Sequence, residues 1–176
     1  MKTLTLLRHA KSGWDAPAAR DFDRTLNARG RKAARAMGRE MKRLGLDFDL
    51  VLASPAARVT ETLTELAQGY GGAVATEFDE HIYLASPETL VEIVRAADDA
   101  YARLLIVGHN PGMERLALLL AQEGALRDSI AAKYPTGALA ELRFEAARWR
   151  DVTAGTGRLE RFIRPRDLGP EFGPDD

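Results

Sequence analysis

The chain has 176 residues, 45% of them hydrophobic, enough for one domain with a sizeable core and too few for two full domains. Its 25 basic and 26 acidic side chains leave a net charge of -1, so the whole molecule has no strong attraction to nucleic acid or an anionic membrane, and any anion recognition has to be local. The absence of cysteine excludes disulfides, thiolate chemistry and cysteine-ligated zinc, and neither a signal-peptide pattern nor an apolar run of membrane-spanning length is present, so a cytoplasmic protein is expected.

Thr3 to Leu7 is a short leucine-rich run that reads as a buried first strand. A polar loop follows from Arg8 to Arg24, containing Gly13, Trp14 and Pro17. Asn27 is then placed to cap a helix whose apolar positions Ala33, Ala34, Met37, Met41 and Leu44 recur at helical spacing until Gly45. Leu50 to Ala53 predicts a second buried strand, after which Ser54 is expected to cap a helix with Pro55 at its first position and Val59, Leu63, Leu66, Ala67 and Tyr70 facing the core.

Gly71 and Gly72 end that helix, Ala73 to Phe78 predicts a third strand, and Ser86-Pro87 starts a third helix lined by Leu90, Ile93, Val94 and Ala97. Leu104 to Val107 predicts the fourth strand, and Asn110-Pro111 opens a helix carrying Leu116, Ala117 and Leu120 inward. Gly137 to Phe144 and Leu159 to Ile163 then read as two strands joined by a turn-rich stretch around Gly155 and Gly157. The alternation predicts an α/β fold, a three-layer α/β/α sandwich with a mostly parallel central sheet and antiparallel C-terminal strands. Residues 164–176 combine prolines, glycines and acids and are expected to form an extended or disordered tail.

Three strand ends carry the chemistry. Arg8 and His9 stand together after the first strand, where one can hold a phosphoryl group by charge and the other attack it. Arg58 falls in the first turn after the second strand, where unpaired backbone N–H groups and the helix dipole already favour an anion. An exposed arginine paired with Glu61 or Asp21 is the competing reading of that residue. His109 ends the fourth strand, and its competing reading is a helix-start histidine capped by Asn110. In open α/β sheets ligands bind beyond the carboxyl ends of strands, which is where all three segments lie.

Taken in order, these segments resemble the histidine phosphatase superfamily, the branch that includes cofactor-dependent phosphoglycerate mutase. Arg8-His9-Ala10 is similar to its Arg-His-Gly signature, Ser54-Pro55 with Arg58 and Thr62 to its second motif, and Gly108-His109-Asn110 to its third. Leu26, Asn27 and Gly30 resemble the family's helix start. The short length, the Leu-Arg-His-Ala-Lys opening and Tyr134-Pro135-Thr136-Gly137-Ala138 look most like the SixA-type phosphohistidine phosphatases.

The resemblance implies a phosphoglycerate mutase-like domain over residues 1–163. It also implies hydrolysis through a covalent phosphohistidine on His9, without metal or cofactor, on a phosphorylated protein such as a histidine phosphotransfer domain or on a small phosphoester. Arg8, Arg58 and a protonated His109 would clamp the phosphoryl oxygens, and Glu80 falls roughly where the family places its proton donor. Asp15 stands where many members carry a phosphate-contacting asparagine and is left out of the site.

Other readings compete. A broad-specificity phosphomonoesterase and a non-catalytic phospholigand-binding module use the same residues. A metal site built from His9, His81 and His109 is disfavoured because neighbouring arginines would repel a cation. Trp14 and Trp149 read as packing residues, since no basic stripe accompanies them to suit a nucleic acid.

Overall fold

In the computed structural model, which describes residues 1–13, 20–73 and 75–175, β1 (Lys2–Arg8) occupies an inner position of a six-stranded sheet. Its neighbours on one side are β4 (Arg103–Gly108), β2 (Leu50–Ala53) and β3 (Thr76–Phe78), all parallel to it. On the other side lie the antiparallel strands β5 (Leu139–Phe144) and β6 (Arg158–Ile163). The order is β3-β2-β4-β1-β5-β6. The mostly parallel sheet with antiparallel C-terminal strands is therefore present as expected.

Both faces of the sheet are covered, which is why the inner strands read as continuous apolar runs instead of alternating ones. Leu7, Val51, Leu105 and Val107 pack under α1 (Ala28–Arg43) and α2 (Ala57–Tyr70), against Met37, Met41, Val59 and Leu66. Leu4, Leu6, Leu104 and Ile106 face the opposite layer of α3 (Pro87–Arg95), α4 (Gly112–Leu120) and α5 (Ala125–Ala132). The two helices of the first layer approach closely because Gly38 and Gly69 carry no side chain. A Cβ on Gly69 would collide with the Arg35 carbonyl oxygen, and one on Gly38 with that of Leu66.

Two caps match expectation: Asn27 accepts from the Gly30 N–H at 2.8 Å, and Ser86 accepts from the Thr89 N–H at 3.2 Å. Ser54 does not cap α2. That helix starts at Ala57, and Ser54 Oγ instead accepts from the Ala56 N–H two residues on, at 3.3 Å, a local turn. The turn leaves Ser54 aimed at the neighbouring strand end. Helix α5 was not anticipated. The predicted strand Ala73–Phe78 shortens to Thr76–Phe78, with Val74 outside the described residues.

The expected extended or disordered tail is corrected for residues 164–175. Pro165–Leu168 forms α6, a single helical turn in which the Asp167 carboxylate accepts from the Arg164 backbone N–H at 2.8 Å, and Pro170–Phe172 forms a 3₁₀ turn. Proline and glycine content misleads here because Phe172 finds the small side chains of Ala33 and Ala36 on α1 and is only 9% exposed. Trp14 and Asp15 lie outside the described residues. Among the described residues no helix is long and apolar enough to cross a membrane.

Candidate active site

Parallel pairing brings the three expected segments to one edge. Arg8 lies opposite Gly108 and Ala53 opposite Val107, so the residues that follow each strand emerge side by side. The His9 backbone N–H donates to the Gly108 carbonyl at 3.0 Å and the Ser54 N–H to the Val107 carbonyl at 3.1 Å, extending the ladder by one residue at each end. Beyond this edge opens a cleft of about 560 Å³ whose lining includes Arg8, His9, Arg58 and His109. A separate, largely apolar recess of about 390 Å³ between α2 and β3 contains none of these four.

His9 is 6% exposed, and its Nδ1 lies 2.7 Å from the Ala10 carbonyl oxygen. A carbonyl can only accept, so Nδ1 carries the proton and Nε2 keeps its lone pair. The Ala10 peptide is itself held, its N–H donating to Thr62 Oγ1 at 3.0 Å while that hydroxyl donates to the Arg58 carbonyl at 2.6 Å. Arg58 Nε donates to His9 Nε2 at 3.3 Å. Burial pulls the His9 pKa from 6.5 down to about 3; the Ala10 carbonyl opposes this, and His109, Arg58 and Arg8 add to the depression.

Arg8 Nη1 and Asn110 Nδ2 both donate to the Tyr134 carbonyl, at 3.0 and 2.9 Å. Tyr134 is anchored through its buried hydroxyl, which donates to the Leu6 carbonyl at 2.6 Å. The next turn closes over β1, where the Gly137 N–H donates to the Arg8 and His9 carbonyls, a geometry that needs the positive φ of 75° that glycine tolerates.

His109 is 4% exposed, with its ring centroid 5.3 Å from that of His9. Its Nε2 shares a hydrogen bond with Ser54 Oγ at 2.8 Å, and its buried Nδ1 has no partner among the described residues. Burial and then Arg58 lower the His109 pKa to about 4, against the opposing charge of Asp21. In the absence of a bound anion, burial and then the Arg58 charge favour neutral His109, whereas the expected clamp needs the protonated ring.

Arg58 is 2% exposed, so the reading of it as an exposed arginine does not hold, although the pairing with Asp21 offered in that reading does. It faces His9 and is also paired, its Nη1 donating to the Asp21 carbonyl at 2.8 Å and its Nη2 to Asp21 Oδ2 at 3.0 Å. Asp21 sits in a 3₁₀ turn, Asp21–Asp23, and also accepts from Tyr83 Oη at 2.7 Å and Arg24 Nε at 3.0 Å. Desolvation opposes its ionisation, yet the hydrogen bonds from Tyr83, Arg58 and Arg24 pull its pKa down to about 2. Arg24, which lines the cleft, and Tyr83, which bonds to Asp21, are neighbours of this group that the strand ends did not indicate.

Glu80 is not brought to this group. It lies exposed in the 3₁₀ turn Glu80–Ile82 and outside the lining of the cleft. His81 also stands apart, 83% exposed at its side chain with Nδ1 bonded to Asp79 at 2.9 Å, so the three histidines do not converge. Among the described residues no cluster of three histidines or carboxylates is disposed to hold a metal ion.

The cleft thus holds a buried imidazole whose Nε2 accepts from Arg58, beside a second histidine at an adjacent parallel strand end. A profile of the Histidine phosphatase superfamily (branch 1) matches residues 4–83. A structure from Agrobacterium tumefaciens, provisionally assigned as the phosphohistidine phosphatase SixA, is 32% identical, with 93% of this chain and 98% of that one covered and a TM-score of 0.77. The chain belongs to the histidine phosphatase superfamily. It is a SixA-like histidine phosphatase: the corresponding Nakamurella multipartitia structure, also a provisional SixA, is 27% identical over 93% of this chain and 96% of that one, with a TM-score of 0.81. An uncharacterized Mycobacterium tuberculosis protein is 35% identical over 164 residues, covering 91% of this histidine phosphatase and 100% of its own length.

Proposed function

We propose that this histidine phosphatase removes phosphoryl groups from phosphohistidine on a protein, a histidine phosphotransfer domain being a fitting partner, through a covalent phosphohistidine on His9. One observation carries the reading: the Ala10 carbonyl holds the only ring proton of a buried, neutral His9, which leaves the Nε2 lone pair facing Arg58. A cytoplasmic location belongs to the same proposal.

Phosphoryl transfer needs in-line attack and neutralisation of charge on three equatorial oxygens. His9 Nε2 forms the new N–P bond as the bond to the leaving nitrogen breaks, and the departing imidazole takes the electron pair. Its other ring nitrogen already carries a proton, so it leaves neutral. Water then attacks phosphorus, the N–P bond to His9 breaks with its electron pair returning to Nε2, Nδ1 keeps its proton, and the protons of the water leave with inorganic phosphate and the solvent. Arg8 and Arg58 meet the oxygens as fixed cations, and an arriving phosphoryl dianion raises the His109 pKa so that this ring gains its proton with the substrate.

The substrate class is supported by the leaving-group chemistry. Among the described residues Asp21 is the single carboxylate that lines the cleft, and it is ionised. An alkoxide leaving group needs a proton that Asp21 does not hold, whereas imidazole needs none. The likeness to SixA-type structures supports the same choice.

The test is brief incubation with a phosphohistidine protein labelled on phosphorus, followed by an alkaline quench. An acid-labile adduct on His9 is expected, absent in His9→Ala, with activity surviving excess chelator. Turnover without the adduct, or activity lost to chelator and restored only by a divalent metal, would overturn the mechanism. Equal or faster hydrolysis of phosphoserine would replace the substrate assignment with a general phosphomonoesterase.

A further inference from the structure

We propose that Asp21 is a positioning residue that acts on the reaction through Arg58, holding one edge of the guanidinium so that Nε stays turned toward His9, with Tyr83 fixing the carboxylate. This rests on the reading of Arg58 and His9 given above and adds a residue to it.

The geometry gives the guanidinium two distinct edges. Its Nη1 and Nη2 donate to the carbonyl and carboxylate of the same residue, Asp21, while Nε donates to His9 Nε2. A two-point contact to one partner fixes the plane of the group as well as its position. Side chains as long as arginine lose much conformational freedom when ordered, and here that ordering is built into the protein before substrate arrives.

Asp21 is itself braced. Tyr83 Oη donates to the same carboxylate oxygen that Arg58 reaches, and Arg24 Nε donates to the other. The Tyr83 ring stands edge-on to His109, with centroids 5.3 Å apart at 83°. Tyr83 therefore links the turn holding Asp21 to His109.

A carboxylate in a phosphate cleft invites the opposite reading, a competing anion that substrate must displace. The two make opposite predictions. A competitor's removal raises kcat/KM, because Arg58 is freed. A positioner's removal lowers kcat, because Arg58 no longer meets the transition state in register, and misplacement by about 1 Å can cost on the order of 10²-fold.

The experiment uses Asp21→Ala, Tyr83→Phe and Arg58→Ala singly and in pairs, with p-nitrophenyl phosphate as substrate and orthovanadate and inorganic phosphate as inhibitors. Asp21→Ala is expected to lower kcat about tenfold or more with KM moving less than about threefold, and Tyr83→Phe to lower it less. Orthovanadate, which mimics the five-coordinate transition state, should weaken in parallel with kcat while inorganic phosphate stays within about threefold. In the Arg58→Ala background, Asp21→Ala should add less than about a twofold loss in turnover or in orthovanadate affinity.

Asp21→Asn, which keeps an acceptor oxygen for Arg58, should recover part of the loss and provides the check if the alanine variant folds poorly. A rise in kcat/KM on removing the carboxylate would overturn the proposal, as would an undiminished Asp21→Ala effect without Arg58. If Arg58→Ala turns over like the parent protein, the reading of the cleft falls along with it.

Discussion

The rings of His9 and His109 lie 5.3 Å apart on adjacent parallel strand ends, tilted by 56°, and both are held neutral by burial and by the arginines around them. Two imidazolium ions at that distance, beside Arg8 and Arg58, would repel each other in a site of low polarity. Under the proposed mechanism, His9 is thereby kept as the nucleophile, and His109 changes charge when an anion joins the group.

The two histidines should therefore be silent in a titration followed by ring carbon–proton NMR. Between about pH 8 and about pH 5 neither resonance is expected to move, because both pKa values, about 3 and about 4, lie below that range. Adding inorganic phosphate should bring the His109 signal into the window while His9 stays fixed. Titration of His9 near its ordinary value would contradict the nucleophile assignment.

Acid stability follows from the same depressed values, with the sign set by proton counting. The unfolded chain takes up a proton at each of these histidines near 6.5, the folded protein only near 3 or 4, so unfolding binds protons between those limits. Stability is full above about pH 6.5 and falls as pH drops through that interval, by up to roughly 1.4 kcal/mol per pH unit for each group. Urea unfolding at several pH values should show this slope. Replacing His9 by asparagine should flatten it by roughly half.

Arg58→Ala should cost on the order of 10²-fold or more in kcat, since it removes a fixed cation aimed at the reacting group. Glu80→Gln should change hydrolysis of a phosphohistidine protein and of a phosphoester by less than about twofold, the ordinary result for an exposed side chain away from the chemistry. A selective loss on the phosphoester would restore Glu80 as a proton donor.

Gly69→Ala should destabilise the fold by about 1–3 kcal/mol, because the added methyl meets a backbone carbonyl that cannot move without separating α1 from α2. Its effect on turnover should be secondary to that loss. A variant as stable as the parent in urea would mean that the two helices tolerate a wider spacing.

The residues at strand ends were readable in advance for a physical reason. Arg8, His9, Arg58 and His109 each follow an apolar run that can only be a buried parallel strand, and parallel strands deliver their carboxyl ends to one edge. Asp21, Arg24 and Tyr83 lack that kind of marker. They arrive from 3₁₀ turns whose side chains follow no period, and Asp21 was visible only as one of two acids that might neutralise Arg58.

The same limit applies to the missed elements. Helix α5 fully buries only Ile130, so it has no apolar stripe to detect. The final turns are held by scattered contacts, Phe172 on Ala33 and Ala36, Leu168 on the core, and Arg29 and Lys133 donating to the Pro174 and Asp175 carbonyls, and such contacts have no sequence period. Ser54 misled in another way, because a serine before proline has the composition of a cap while its hydroxyl was committed to His109.

Those final turns also decide how the protein can be handled. Pro174 and Asp175 share a small recess with Lys11 and Thr136, and Lys11 and Thr136 also line the cleft that holds His9. A polypeptide fused after Asp176, a purification tag or a domain, starts one residue beyond Asp175, which lines a recess adjoining the cleft. An affinity handle at that end risks shading the cleft from a bulky phosphoprotein while leaving it open to a small phosphoester, so the same protein tagged at opposite ends should rank the two substrates differently.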